Sequence, residues 1–386
     1  MNKNLFLTSL IMLIAPFLVC AASRELSNDV LKMKMNILGY LSLWTTGGDP
    51  TQSSDNDQDI LNNKRFGSTY VVVSVNGRVA RMGGKKGTHR LFARVKEAAL
   101  ISSWEFAGVL FSQRVSLYKG HYCEKKNLAR VHINVENKTG RPAQIGLRVV
   151  IDPMLGPSDS RPFLVPGKGA VLSGTILKSE GEIPSMIYSC HKPINTQGDF
   201  ILNLYGPDLV KPDKAYFAPD AYFSDDTVFD PGSKGDPRDS LAGRSAVGLV
   251  WLPRTFKAGG KDGVAFGIGV AVHRRTENQP INVMITAPVR TAGEDFWIGI
   301  VIENEDKYWD ISSLLVNLEY SAKKLRLEKG KMQYNFSNLP RRGMVFAYWK
   351  FRVLESGQIT PSFRISGQYR SRSLYRSFRT TSVLTK

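Results

Sequence analysis

Apolar and polar residues alternate along much of this chain, and the alternation has a period of two. In the stretch ARVHINVEN, Val131, Ile133 and Val135 alternate with Arg130, His132 and Asn134. A strand with that pattern buries one face and wets the other. A turn follows at Lys138 to Arg141, then a second strand at Ile145 to Ile151, so the segment reads as a hairpin. The stretch STYVVVSVNGRVAR is read the same way, with Asn76-Gly77 as a strong two-residue hairpin signal. Further strands are expected at FILNLYG, AVGLVWLP, VAFGIGVAVH, FWIGIVIEN, LLVNLEYS, VFAYWKFRVL and ITPSFRISGQY. Helical periodicity is confined to the leader and residues 25–35, so the chain is expected to be all-β.

Two units are expected. The polar stretch TENQPINVMITAPVRTAGED suggests a join near residues 276–292. The first unit, 30–275, is large for a single sandwich and suits a two-sheet super-sandwich. The second, 292–370, has the strand spacing of a smaller immunoglobulin-like sandwich. Residues 371–386 read as a basic C-terminal tail.

The first 22 residues carry Lys3, an apolar run and the small residues CAAS, the pattern of a secretory signal peptide. Cys20 offers a lipoprotein site as the rival reading. No later stretch approaches ~18 consecutive apolar residues, so the mature chain is expected to lack a transmembrane helix. Without the leader the cysteines are Cys123 and Cys190. In an oxidising compartment they either pair or sit buried as small hydrophobes, and both readings stay open.

The net charge of +18 creates a field that favours anionic partners. For an exported protein these are an acidic envelope protein or an anionic envelope polymer, with a glycan as a further candidate; nucleic acid is not expected. The excess collects at the end of the chain, where Tyr369, Arg370, Arg372, Tyr375, Arg376 and Arg379 interleave aromatic and basic groups. Arg and Tyr are enriched at binding hot spots, so these residues are the candidate partner-binding set.

The candidate ligand cleft combines acids and a histidine. Asp55, Asp57 and Asp59 offer oxygen ligands at alternate positions, but Ile60 and Phe66 stand where a calcium loop starting at Asp55 needs Gly and Glu. Asp225, Asp226 and Asp230 lie in DAYFSDDTVFDPGSKGDPRD with Tyr216, Phe217, Tyr222 and Phe223 nearby, which suits carboxylates on sugar hydroxyls and rings on sugar faces. His132 is expected to look into a wet groove. The alternative for the acidic segment is a solvated loop built on Asp-Pro and Pro-Gly turns. No zinc-type histidine pair, nucleophile elbow or phosphate loop occurs, and neither a catalytic residue nor a cofactor is assigned.

The stretches TTGGDP with DNDQDIL, STYVVVSVNG, IGLRVVIDPMLGPSDSRPFLVPG and SAVGLVWLPRTFKAGG resemble a group of secreted bacterial proteins. These carry a galactose-mutarotase-like β-super-sandwich, often followed by an immunoglobulin-like domain. The resemblance covers most of residues 40–275, and it implies a fold and no established reaction. It also implies that the DNDQD loop lies at the rim of the sandwich entrance. The expected function is a non-catalytic exported binding or structural protein of the periplasm or cell surface. It would contribute to an envelope assembly such as a periplasmic filament or flagellar sheath. The alternatives are a protein that binds or modifies carbohydrate in the super-sandwich cleft and a surface adhesin.

Overall fold

The computed structural model describes residues 24–46, 56–62, 67–119, 126–154, 163–166, 168–178, 182–184, 186–189, 200–204, 209–241, 244–270, 280–286, 290–291, 295–304, 306, 308–341, 343–379 and 383–385. Among these the regular structure is β, apart from short 3-10 turns at Asp220–Phe223 and Pro231–Lys234.

The strand Leu128–Asn137 has the expected alternation, burying Val131, Ile133 and Val135 and turning His132 and Asn134 away from them. It pairs antiparallel with Val109–Tyr118 on one side and Lys261–Val270 on the other. These are central to a nine-stranded sheet in the order Gly169–Val171, Phe163–Val165, Met186–Ser189, Phe200–Asn203, Lys261–Val270, Leu128–Asn137, Val109–Tyr118, Ala99–Phe106, Thr88–Lys96. A six-stranded sheet faces it, in the order Thr175–Leu177, Lys214–Ala218, Ala246–Phe256, Ala143–Ile151, Tyr70–Val75, Arg78–Arg81. Phe111, Val131, Ile133 and Phe266 from the first sheet share one core with Leu147, Val149, Leu249 and Trp251 from the second. Each such side chain contributes roughly 1.5–3 kcal/mol by leaving water. The result is a large two-layer sandwich.

The hairpin at Asn76-Gly77 forms, with φ of 48° and 78° and Val75 opposite Arg78. Both left-handed residues suit the tight turn that follows the strand twist. The Lys138 to Arg141 turn differs from expectation, because it carries the chain from the nine-stranded sheet to the six-stranded one. Buried Asn137 holds this corner, its Nδ2 donating to the carbonyls of Arg141 at 2.7 Å and of Phe256 and Lys257 at 3.0 Å each. Residues 25–35 are strands, not a helix: Glu25–Ser27 pairs with Leu31–Met35, which pairs with Leu41–Thr46, followed by Asn56–Asp59. Leu31, Met33 and Met35 are buried and alternate with Lys32 and Lys34, a period of two that pairing turns into one apolar face.

The second sandwich has a four-stranded sheet, Ile281–Thr286, Asp295–Asn304, Met344–Val353, Leu325–Lys329, and another, Gln333–Leu339, Ile311–Glu319, Ser362–Tyr369, Arg372–Arg379. Ile298, Ile300, Leu314, Val316, Trp349, Phe351, Phe363 and Ile365 lie in its core. Three boundaries differ from the sequence reading. Ile281–Thr286, assigned to the join, pairs along Asp295–Asn304. ITPSFRISGQY divides at Pro361 into Gly357–Ile359 and Ser362–Tyr369, which lie in different sheets. The stretch read as a basic C-terminal tail is paired where it is described: Arg372–Arg379 returns along Ser362–Tyr369, and Val383–Thr385 pairs with Arg290–Thr291 and Gly357–Ile359. The return is secured because Leu374 and Phe378 reach the core.

Candidate functional site

Alternation that buries Val131 and Ile133 presents a polar outer face on the nine-stranded sheet. Register sets Ser112, Asn134 and Gly263 side by side; Arg114, His132 and Ala265 form the next row, and Leu110, Glu136 and Lys261 lie beyond Asn134. The strand Lys261–Val270 turns Gly263, Ala265, Gly267 and Gly269 to this face; Gly263 is half-buried and the other three are buried. At Gly263 an added Cβ would stand 3.0 Å from His132 Nε2 and 3.1 Å from Asn134 Oδ1, so neighbouring polar groups lean over the vacant position. A groove of about 400 Å³ opens here, lined by Leu110, Ser112, Asn134, Val135, Glu136, Lys261, Asp262 and Gly263. Lys261 and Glu136 pair across it at 3.4 Å. Further along the same strand, Tyr118 lies over Gly267 and accepts a hydrogen bond from Asn203 Nδ2 at 3.2 Å. Burial pushes the Tyr118 phenol up to about 12.

The acidic segment is elsewhere. It packs on the outer face of the six-stranded sheet, where Phe223 fills the space above Gly248 and Phe229 the space above Gly146. With Tyr70, Val72, Val150, Tyr216 and Val250 these rings form a second apolar layer. Tyr216 and Phe223 are therefore buried packing groups of this layer and Phe217 lies in the core between the sheets, so none is an exposed sugar platform.

The carboxylates of this segment are engaged. Asp225 pairs with Lys234 and accepts from the Thr227 hydroxyl at 2.6 Å. Those hydrogen bonds hold its carboxyl well below the usual range. Asp226 lies 3.7 Å from Arg81. Asp230 accepts from Lys214 Nζ at 2.6 Å, from the Tyr216 hydroxyl and from Gly232 N at 3.2 Å. Burial pushes the Asp230 carboxyl up, but the bonds from Lys214 and Tyr216 outweigh it and leave the group below its ordinary value. Burial and the hydrogen bond to Asp230 in turn push the Tyr216 phenol up.

The expected cleft of Asp55, Asp57, Asp59, His132, Asp225, Asp226 and Asp230 is thus not assembled. His132 faces outward from one sheet, and Asp225, Asp226 and Asp230 cover the outside of the other. Asp57 and Asp59 belong to the strand Asn56–Asp59 of the N-terminal sheet, and Asp55 lies outside the described residues. The separation arises because the aromatic residues among the acids find an apolar sheet face to cover. Cys123 and Cys190 also lie outside the described residues, as do residues 1–23.

Arg148 had no assigned role, yet it is 1% exposed and clasps the acidic segment. It donates to Val228 O at 2.9 Å and Asp225 O at 3.4 Å. Beside it the Arg81 guanidinium stacks 3.8 Å from the Tyr70 ring centre, and Tyr70 donates to Phe223 O at 2.6 Å. The signal for this clasp was the single Arg inside the apolar run IGLRVVI. The signal for the groove was the small-residue alternation in GVAFGIG, which gives one face of that strand no large side chain of its own.

The partner-binding set gathers on one hairpin. Tyr369 donates to Asp306 and Arg370 pairs with Asp306 at 3.1 Å, while Arg370 also lies 5.5 Å from the Trp309 ring centre. Arg372, Tyr375 and Arg379 are exposed, and Arg376 is half-buried.

No protein-family model matches the sequence, and no curated protein matches it. Solved structures do. A galactose mutarotase-like protein from Lactobacillus casei aligns over 64% of this chain and 99% of its own, at 13% identity and a TM-score of 0.39. A galactose mutarotase related enzyme from Lactobacillus acidophilus aligns over 64% and 96%, at 9% identity and a TM-score of 0.37. A putative aldose 1-epimerase from Escherichia coli aligns over 64% and 98%, at 13% identity and a TM-score of 0.33. Likenesses this distant transfer neither a site nor a substrate.

Proposed function

We propose that the chain is a non-catalytic binding protein of the cell envelope that holds a glycan in the groove of the nine-stranded sheet. The observation that carries this reading is the row Ser112, Asn134 and Gly263, flanked by His132 and by the Glu136–Lys261 pair. A hydroxyl, a carboxamide, a carboxylate and an ammonium group supply both donors and acceptors over a floor that lacks a side chain at Gly263. A polyhydroxylated ring needs that mixture and a shallow bed, and about 400 Å³ is within the range of small-ligand sites. Binding is preferred to acid–base chemistry because the carboxylates at the groove are engaged: Glu136 pairs with Lys261, and Asp262 accepts from Gly263 N at 2.7 Å. The leader pattern of residues 1–22 supports export to the envelope.

Titration of the full chain with purified envelope glycan and with neutral oligosaccharides, followed by calorimetry, tests the reading. Asn134→Ala is expected to weaken binding about tenfold, the loss of roughly 1.4 kcal/mol of hydrogen bonding. Unchanged affinity in both Asn134→Ala and Ser112→Ala, or no retention of any glycan, overturns it. A structural part in an envelope assembly, whether a filament or a sheath, is the second reading. It is favoured by the exposed Arg and Tyr side chains of the C-terminal hairpin.

A further inference from the structure

We infer that the outer edge of the strand Arg372–Arg379 is a docking edge, which takes an extended acidic segment of a partner protein as an added strand.

The backbone supplies the first reason. Arg372–Arg379 is the last strand of its sheet, and among the described residues nothing pairs along its outer side. The hairpin closes on Tyr369 opposite Arg372 through Arg370 and Ser371, whose φ of 50° and 59° make a tight two-residue turn. From such a closing pair the ladder bonds alternate. Arg372, Leu374, Arg376 and Phe378 therefore direct N–H and C=O toward Ser362–Tyr369, and Ser373, Tyr375, Ser377 and Arg379 direct theirs outward. An open row of this kind is a template for another strand.

Charge supplies the second reason and selects the occupant. From Ser356 to Lys386 the chain contains no Asp or Glu. Arg372 and Arg379 are exposed near the two ends of the edge, with Tyr375, 59% exposed, between them. Arg376 sits on the side of Leu374 and Phe378, a charge on the inward face of an edge strand, which discourages pairing with an apolar strand. A second copy of this chain is disfavoured as occupant, because pairing two such edges brings two sets of arginines together on one short strand pair with no acid between them. The same charges attract an acidic strand. The opposite edge of the sheet, Gln333–Leu339, has the sequence QYNFSNL and no charge, so this selection belongs to one edge alone.

The site lies in the second sandwich and is independent of the glycan groove. Its test uses the full chain with labelled ten-residue peptides that alternate Glu with Val, alternate Lys with Val, or carry Pro in place of alternate Val in the acidic peptide. Fluorescence polarisation is expected to give binding of the Glu–Val peptide that weakens with salt, and none of the Lys–Val peptide. On binding, amide exchange is expected to slow at Ser373, Tyr375, Ser377 and Arg379, with the intervening amides unchanged. Ser377→Pro, which removes an outward donor and no ladder bond, is expected to weaken binding at least tenfold with the thermal midpoint preserved. If that variant does not fold, Arg372→Glu with Arg379→Glu serves instead, and preference is expected to switch to the Lys–Val peptide. Equal binding of the proline-bearing acidic peptide would show attraction by charge without strand addition and overturn the inference. So would failure of the Glu–Val peptide to bind, or binding without the alternating protection.

Discussion

Phe223→Ala separates a structural cover from a ligand-binding loop at residues 219–239. Phe223 has no exposed surface and fills the space above Gly248: a Cβ added to that glycine would lie 2.4 Å from Phe223 Cε1. Its ring makes an edge-to-face contact with Tyr222 at 5.4 Å between centroids, and its carbonyl accepts from the Tyr70 hydroxyl. Truncation leaves a cavity bounded by a β-sheet that cannot collapse onto it, so the cost is expected near the usual range of roughly 3–5 kcal/mol for Phe→Ala. The backbone bond from Tyr70 survives the change, which places the expectation toward about 3 kcal/mol in that range. Urea unfolding monitored by far-ultraviolet circular dichroism measures the global loss. Amide exchange over residues 219–239 measures local release, which should exceed that of the second sandwich. A loss below about 1 kcal/mol with unchanged exchange would refute the packing argument, since surface substitutions fall in that range.

Two further predictions concern pH. Asp230 has a carboxyl held below its ordinary value of 3.8, so its contribution is complete above that pH and is lost as pH falls through the depressed folded value. Asp230→Asn should reduce the acid sensitivity of the 219–239 segment below pH ~4, read by amide exchange; an unchanged profile counts against the Lys214 pairing. Tyr70 and Tyr118 are pushed from 10.0 to about 12, chiefly by burial. Their stabilising contribution is complete below pH ~10 and is lost as pH rises through the folded value. Tyr118→Phe should remove one late-ionising phenol from the absorbance titration near 295 nm, and an unaltered late phase would exclude Tyr118 as its source.

The strands were legible because their signal is local. Val131, Ile133 and Val135 state a period of two, and Asn76-Gly77 supplies the two left-handed positions that a tight hairpin requires. Sheet membership was not legible in the same way. Lys138 to Arg141 has the composition of a hairpin turn, but its role as a corner depends on Asn137 reaching carbonyls of Phe256 and Lys257, more than a hundred positions away. Residues 25–35 failed for a related reason: a short run of Leu, Met and Lys fits either period until a partner strand fixes one. At the site, the outward direction of His132 was readable from alternation. The grouping of His132 with the acids was not, because nothing local tells which sheet a carboxylate-rich segment will cover.

Charge placement connects the two proposed surfaces. In the first sandwich the acidic segment neutralises basic groups drawn from distant parts of the chain: Arg81, Lys178 and Lys214 meet Asp226, Asp236 and Asp230. An exposed pair such as Lys178–Asp236 contributes only about 0–1 kcal/mol, so its main consequence is to cancel field rather than to hold the fold. At the groove on the other sheet, Lys261 meets Glu136 and Asp262 adds a second carboxylate. In the C-terminal hairpin, Arg364 and Arg370 are answered by Glu319 and Asp306, acids that lie outside the hairpin. Exposed Arg372 and Arg379 have no acid within the hairpin to answer them, because none occurs after Glu355. A net charge of +18 is therefore not an even coat. Carboxylates meet it beside the groove, whereas no acid of the hairpin itself answers it along a backbone edge whose donors and acceptors accept any sequence. There, charge is the property that distinguishes one incoming strand from another.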